Sequence, residues 1–350
     1  MESNKDLGSE NLFFKPQEVN ITNIEDLSAA ELLKLAEENY EAMNYDKCYI
    51  FYEEAVKKNP QDEYTLCSFG YFLSNMKEID KAQKVLAEAI YLNPDGNAKK
   101  YLHMAELYEG NDAVTFYLKA IDILTNQIQA YENNTMENRE GFDLQDAKKD
   151  LSQSFSALGE LYMTDLAKTE NAVNLCQEYL MKAIEVNPLN LDAYYQLANY
   201  YLEVDNPETA DQSLAKFIEI YKEKKANNED DFFDEFPEEM YLGASKVFVE
   251  VQRYADALMI LEDLFEDDSD NFEILYMMCY CNFMLKNYLT TQELLEEFTA
   301  KQSKCSDEEI LTAKEELEAE LSKVDVTKGN DYEEVKEECI SANEDMDLES

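Results

Sequence analysis

Apolar residues recur three and four positions apart along most of the chain. Between Phe155 and Leu202 they mark three successive faces: Leu158, Leu161 and Tyr162; then Leu180, Ala183 and Ile184; then Leu197, Ala198 and Tyr201. That spacing is the signature of amphipathic helices. Pro188 falls where a helix must stop, because proline has no N–H to donate and its ring clashes with the preceding turn. Gly159, Ala183 and Ala198 place small residues where antiparallel helices approach closely. The pattern reads helix, turn, helix, Asn-Pro, helix.

The same phrase recurs at a fixed interval. Leu32, Leu35 and Ala36 mark a helix beginning at Ser28, Asn44-Tyr45-Asp46 a turn, and Cys48, Tyr52 and Ala55 a second helix ending at Asn59-Pro60. Pro94 lies 34 residues after Pro60, with Leu66, Phe69, Gly70, Ala82, Leu86 and Ala89 at matching offsets. A period of this length with small residues in phase is that of the tetratricopeptide repeat. The fold expected is all-α, a tetratricopeptide (TPR) solenoid of about seven helix pairs, some irregular, as one elongated domain or two short arrays.

Residues 1–27 are expected to be a mobile tail carrying the island Leu12-Phe13-Phe14, and residues 28–300 the solenoid. The third pair is irregular: Tyr101, Met104, Ala105 and Tyr108 mark its first helix, Glu109-Gly110-Asn111 a short turn, and its second helix runs on towards Tyr131. A polar loop at 132–141 precedes a helix starting near Asp143. An acidic, phenylalanine-bearing insert spans 226–240, and Glu262 to Glu273 reads as an acidic turn. Ser306 with Glu309 suggests a capping box opening a terminal helix at 306–323 that shields the last pair. Residues 324–350, acidic and poor in apolar groups, are expected to be disordered.

Charge narrows the picture. Lys+Arg number 30 against 77 Asp+Glu, a net charge of −47. Such a field repels nucleic acid and anionic membrane and attracts cations, so a basic protein partner is the first inference. The other reading is that the charge only solvates a helical array. No basic leader with an apolar run occurs at the N-terminus and no stretch is apolar enough to span a membrane, giving an expectation of cytoplasmic and nuclear residence. Seven cysteines form no CxxC pair and read as reduced core thiols.

Motifs for chemistry are absent. His103 is the only histidine, and no phosphate-binding, dinucleotide or zinc-hydrolase motif occurs. No enzyme activity, cofactor or metal is expected. What remains is binding. In a solenoid of this kind the first helix of each pair lines the concave groove. At its inward offsets stand Glu37, Glu41, Tyr71, Glu106, Glu109, Glu160, Asp165, Asp192, Tyr195, Glu203, Glu250, Glu273 and Tyr280. Comparable offsets hold only Lys34, Lys99 and Lys246 as cations, whereas a merely solvated face would intersperse them more evenly. Many carboxylates acting together, with tyrosine faces adding cation–π contacts, suit a long Lys/Arg-rich segment. A groove for acidic peptide termini would need Lys, Arg and Asn there; Lys34 and Asn75 stand instead among Glu37, Glu38 and Glu106.

Three segments resemble a particular family: Lys99 to Leu124, Ser156 to Pro188, and the LNLDAYYQLANYYL that follows. Tyr101, Glu109-Gly110, Tyr162-Met163-Thr164-Asp165-Leu166, Cys176 and Glu178 carry the likeness. They resemble the dedicated assembly chaperones of large-subunit ribosomal protein four, with the match spanning roughly residues 30 to 300. The resemblance implies a non-catalytic solenoid that captures the long basic extension of the newly made ribosomal protein, shields it from aggregation and RNA, and travels with it to the nucleus as a monomer in a 1:1 complex. It points to Glu106, Glu109, Glu160 and Asp165 in the groove. A general scaffold or adaptor, and a chaperone of histones or other basic nuclear proteins, remain alternatives.

Overall fold

The computed structural model describes residues 24–136, 142–227 and 236–326. Among these are fifteen α-helices and no strand. Fourteen helices form seven antiparallel pairs: α1 (Ala29–Glu41) with α2 (Tyr45–Lys58), α3 (Glu63–Asn75) with α4 (Ile79–Leu92), α5 (Lys99–Ala105) with α6 (Gly110–Glu132), α7 (Leu144–Met163) with α8 (Ala172–Val186), α9 (Leu191–Glu203) with α10 (Pro207–Ala226), α11 (Glu238–Glu250) with α12 (Tyr254–Asp267), and α13 (Phe272–Met284) with α14 (Tyr288–Lys301). α15 (Glu308–Leu321) packs on α13 and α14. The architecture is that of tetratricopeptide repeats. The chain divides after Asn190 into two compact units, the first holding four pairs and the second three pairs with α15.

Close packing within a pair depends on small residues. A Cβ placed on Gly70 would lie 2.6 Å from the Leu86 side chain, and one on Gly159 would meet Leu180 at 2.6 Å. Leu86, Leu158 and Leu180 are fully buried there, with Ala82, Ala89 and Ala183 beside them. Interiors are packed too densely to admit a methyl group without displacing a neighbour.

The turn inside most pairs has one geometry. Met43, Lys77, Asp205, Gln252 and Lys286 all take positive φ, between 56° and 66°. Each N–H bonds the carbonyl three residues back, as Lys77 does to Ser74 at 2.9 Å. The next N–H bonds five residues back, as Glu78 does to Leu73 at 2.9 Å and Asn287 to Asn282 at 2.9 Å. This is the Schellman ending of a helix, usually built on glycine because other residues pay sterically for a left-handed backbone. Here all five positions carry side chains.

A buried polar staple joins the second pair to the third. Lys100, fully buried, donates to Glu63 Oε1 at 2.5 Å and to the Asn93 carbonyl. Glu63 also accepts from Asn93 Nδ2 at 2.8 Å and the Asn97 N–H at 2.9 Å. Burial works against the Glu63 charge, but Lys100 and the two amide donors outweigh it and hold its carboxyl below the usual range. Asn190 similarly ties the segment after α8 to α7, donating to Ser152 Oγ at 2.8 Å and Ser156 Oγ at 3.1 Å in a buried network.

Several local expectations need correction. α2 already begins at Tyr45, so the first turn closes at Asn44. α5 is only seven residues long and excludes Tyr108. The turn spans Glu106 to Glu109, and α6 restarts at Gly110, whose φ of 56° few other residues adopt comfortably. α15 is capped by Asp307, which accepts from the N–H groups of Glu309 and Ile310, so Ser306 forms no capping box. Much of the segment Glu262 to Glu273 is helical, because buried Leu261 and Leu264 carry α12 on to Asp267. Phe13 and Phe14, residues 137–141 of the polar loop, residues 228–235 of the acidic insert and residues 327–350 lie outside the described residues. Phe236, at the end of that insert, is buried edge-on against Tyr241 in the core of the second unit.

Candidate functional site

In the first unit the opening helices α1, α3, α5 and α7 line a common recess. A recess of about 450 Å³ is lined by Tyr40 of α1; Tyr64, Ser68 and Tyr71 of α3; Lys99, Leu102 and His103 of α5; Glu106; and Asp150 and Gln153 of α7. An adjoining recess of about 370 Å³ shares Asn97, Lys99 and Asp150 and continues past Asp146 to Asp143. Two of the residues expected at the groove, Tyr71 and Glu106, line this recess. A third, Glu37, accepts a hydrogen bond from Tyr64 at 3.2 Å.

The wall is aromatic as well as acidic. Tyr64 and Tyr71 expose 56% and 40% of their surface. Tyr40 and Tyr71 rings are 6.4 Å apart, Asn75 donates to the Tyr40 hydroxyl at 2.7 Å, and the Tyr71 and His103 rings lie 4.7 Å apart. Burial, then the neighbouring Tyr71, pushes the Tyr40 hydroxyl above its ordinary pKa.

α7 carries an acidic line along these recesses. Asp146, Asp150, Gln153, Ala157 and Glu160 recur at alternating steps of four and three, and so share a face. Burial against the surrounding wall raises the Asp150 carboxyl above its ordinary value, with Lys99 opposing. The same crowding, reinforced by Asp165, raises Glu160, which nonetheless remains open to solvent. Tyr117 is pushed up by burial and then by the charges of Glu106 and Glu160. Asp146 and Asp150 were not among the expected site residues. Their four-residue spacing ahead of Glu160 on a helix entered at Asp143 was the available signal.

The remaining expected residues fall into distinct settings. Asp165 lies beyond the end of α7, and its carboxylate accepts the Gly110 N–H at 3.0 Å. Glu109 is exposed at the N-cap of α6 without a side-chain cap bond. Glu41, Glu203 and Glu250 are the exposed last residues of α1, α9 and α11, none of which carries a basic residue in its last turn. There the carboxylates add to the negative end of each helix dipole, an arrangement that a cation relieves. In the second unit Asp192 and Glu273 sit in the first turns of α9 and α13, where acids are ordinary. Glu273 pairs with Lys246 at 2.7 Å. Tyr195 packs its hydroxyl over Gly243, where a Cβ would lie 2.5 Å from it, and Tyr280 meets Tyr254 edge-on at 6.1 Å.

Among the described residues no group of His, Cys, Asp or Glu is arranged to hold a metal ion, and no helix is long and apolar enough to cross a membrane. Buried cysteines such as Cys48, Cys176, Cys279 and Cys281 have thiols pushed up to about 12 by burial, far from a reactive thiolate.

Comparison with known proteins bears on the fold and on what the chain resembles. Residues 64–95 and 179–212 match the tetratricopeptide repeat. A Schizosaccharomyces pombe protein named as a probable assembly chaperone of rpl4 is 24% identical over 259 residues, 72% of this chain and 73% of its own. An Emericella nidulans protein of the same name is 24% identical over 240 residues, 65% of this chain and 57% of its own. A solved structure described as the assembly chaperone of RpL4 (Acl4), residues 1–338, superposes with a TM-score of 0.60 at 20% identity, covering 74% of this chain and 97% of that one. That superposition shows the fold.

Proposed function

We propose that this protein is a dedicated chaperone of large-subunit ribosomal protein four, holding the basic extension of the newly made protein and escorting it from cytoplasm to nucleus for ribosome assembly. Two relatives that align over most of this chain's length bear that name. The observation that carries the reading on this chain is the wall of α1, α3, α5 and α7, in which tyrosines and carboxylates stand together with Lys99 as the one lysine or arginine lining either recess. The protein works by binding, without catalysis or cofactor, as a monomer with one client.

Each exposed carboxylate contributes little alone, about 0–1 kcal/mol. A segment with many Lys and Arg engages them together, its charges steering encounter and excluding RNA by competition. Glu41, Glu106, Glu109 and Glu160 supply negative potential in the first unit, and Glu203 and Glu250 in the second.

The test is a pull-down of the tagged protein from growing cells, with newly made chains pulse-labelled and identified by mass spectrometry. One ribosomal protein at near-equal stoichiometry, lost on deleting its basic extension and on the double substitution Glu106→Lys with Glu160→Lys, is the expected result. Recovery of histones instead, or of unrelated neutral partners insensitive to the charge reversal, would overturn it.

A further inference from the structure

We infer that the recess between α1, α3, α5 and α7 is a socket for one arginine side chain of the basic partner, its guanidinium lying against Tyr71 and facing the carboxylates of Glu106 and Asp150. This rests on the reading that the wall receives a basic segment, and names the side chain that anchors it. Asp150 is half-buried in the wall, with Lys99, His103 and Lys149 near enough to favour its charge against burial and Asp146. Lys99 is at the junction of the two recesses, close enough to be felt by Asp150 but not paired with it. Burial still outweighs them, so a cation entering the recess would favour the charged carboxylate further.

The shape of the recess selects among cations. His103 presents a flat nitrogen-bearing ring 4.7 Å from Tyr71, with its Nδ1 3.5 Å from Glu106 and without a hydrogen-bond partner. His103 covers part of Tyr71, and 40% of the Tyr71 surface stays open beside it for a second planar group. At about 450 Å³ the space is near the small end of ligand pockets, about 300–1,000 Å³, and suits a side chain better than a folded element. Guanidinium is planar, weakly hydrated and able to stack on an aromatic face while donating in a fork to a carboxylate; an ammonium is a compact, strongly hydrated point charge. Lysine therefore loses more on entering this recess.

The experiment uses the full chain and two synthetic peptides of equal length and charge, one arginine-rich and one lysine-rich, with affinities measured by calorimetry at fixed salt. The arginine peptide is expected to bind about fivefold more tightly. Asp150→Asn and Tyr71→Leu each bring the ratio to near one, while Glu170→Gln, on the exposed turn after α7, leaves it unchanged. Circular dichroism melts establish that each variant is folded. Equal affinities in the parent protein, or a preference that survives both recess substitutions in folded protein, would overturn the socket. Its failure is separable from that of the chaperone reading. Capture of the ribosomal protein with no arginine preference removes only the socket. An arginine preference with no ribosomal protein captured removes only the chaperone reading.

Discussion

Asp165 accepts the backbone N–H of Gly110 at 3.0 Å, across 55 positions of sequence. It thereby fixes the restart of α6 from the segment following α7. A residue expected to meet a partner is engaged in holding the irregular third pair to the fourth. Asp165→Ala is expected to cost about 1 kcal/mol of stability, the worth of an exposed charge-assisted hydrogen bond, and to lower Tm by roughly 2–4 °C. Affinity for a basic peptide should fall by less than for Glu160→Gln. Thermal melts and calorimetry on the two variants check this.

The staple between Glu63 and Lys100 makes a second prediction. Glu63→Ala leaves a fully buried ammonium without its carboxylate and is expected to destabilise by about 3–5 kcal/mol. The double variant with Lys100→Met should recover much of the loss. The Glu63 carboxyl is depressed in the folded protein, so its stabilisation is present above the ordinary carboxylate pKa and disappears as pH falls through the depressed value. Chemical denaturation of the three proteins across acidic pH tests both statements.

Asp150 and Glu160 behave in the opposite sense. Their raised pKa values mean that the folded protein holds protons more tightly than the unfolded chain. Their contribution to stability is therefore full below the ordinary carboxylate pKa and is lost as pH rises through the raised one. A basic partner favours their charged forms, so binding should release protons and weaken as pH falls from about 7 to about 5. Asp150→Asn should flatten that dependence. Calorimetry in two buffers of different ionisation enthalpy measures the proton release directly.

Salt gives the fourth prediction. Exposed charges are screened beyond about 10 Å at 0.1 M and about 3 Å at 1 M ionic strength. Partner affinity should fall steeply with salt and by a shallower slope in the Glu106→Lys, Glu160→Lys double variant. A flat dependence in the parent protein would mean that apolar contacts, not carboxylates, hold the partner.

The repeat was legible because its determinants are local. The apolar period of Leu158 and Leu180, the small residues Gly70 and Gly159, and the stops at Pro60, Pro94 and Pro188 each act within one or two turns of helix. The third pair was harder to delimit, since Gly110 takes a positive φ and finds its N–H partner in Asp165, a residue far along the chain. The lining of the recesses was legible only in part. Tyr71 and Glu106 follow from offsets within a repeat, whereas Asp146 and Asp150 line the two recesses because α7 begins two turns earlier than the repeat pattern requires. Asp192 and Glu273 were indistinguishable by offset from wall residues, but their places at helix starts give them a local role.

The five turns built on Met43, Lys77, Asp205, Gln252 and Lys286 have a consequence for lifetime rather than recognition. Each holds an L-residue in a backbone state that costs about 1–2 kcal/mol relative to the right-handed one, a cost glycine avoids at some loss of unfolded-state restriction. Substituting glycine at these sites one at a time should raise Tm by small and nearly additive steps. Resistance to unfolding, and with it persistence in a cell that destroys opened chains, can thus drift upward or downward at five turns while the tyrosines and carboxylates of the wall stay as they are.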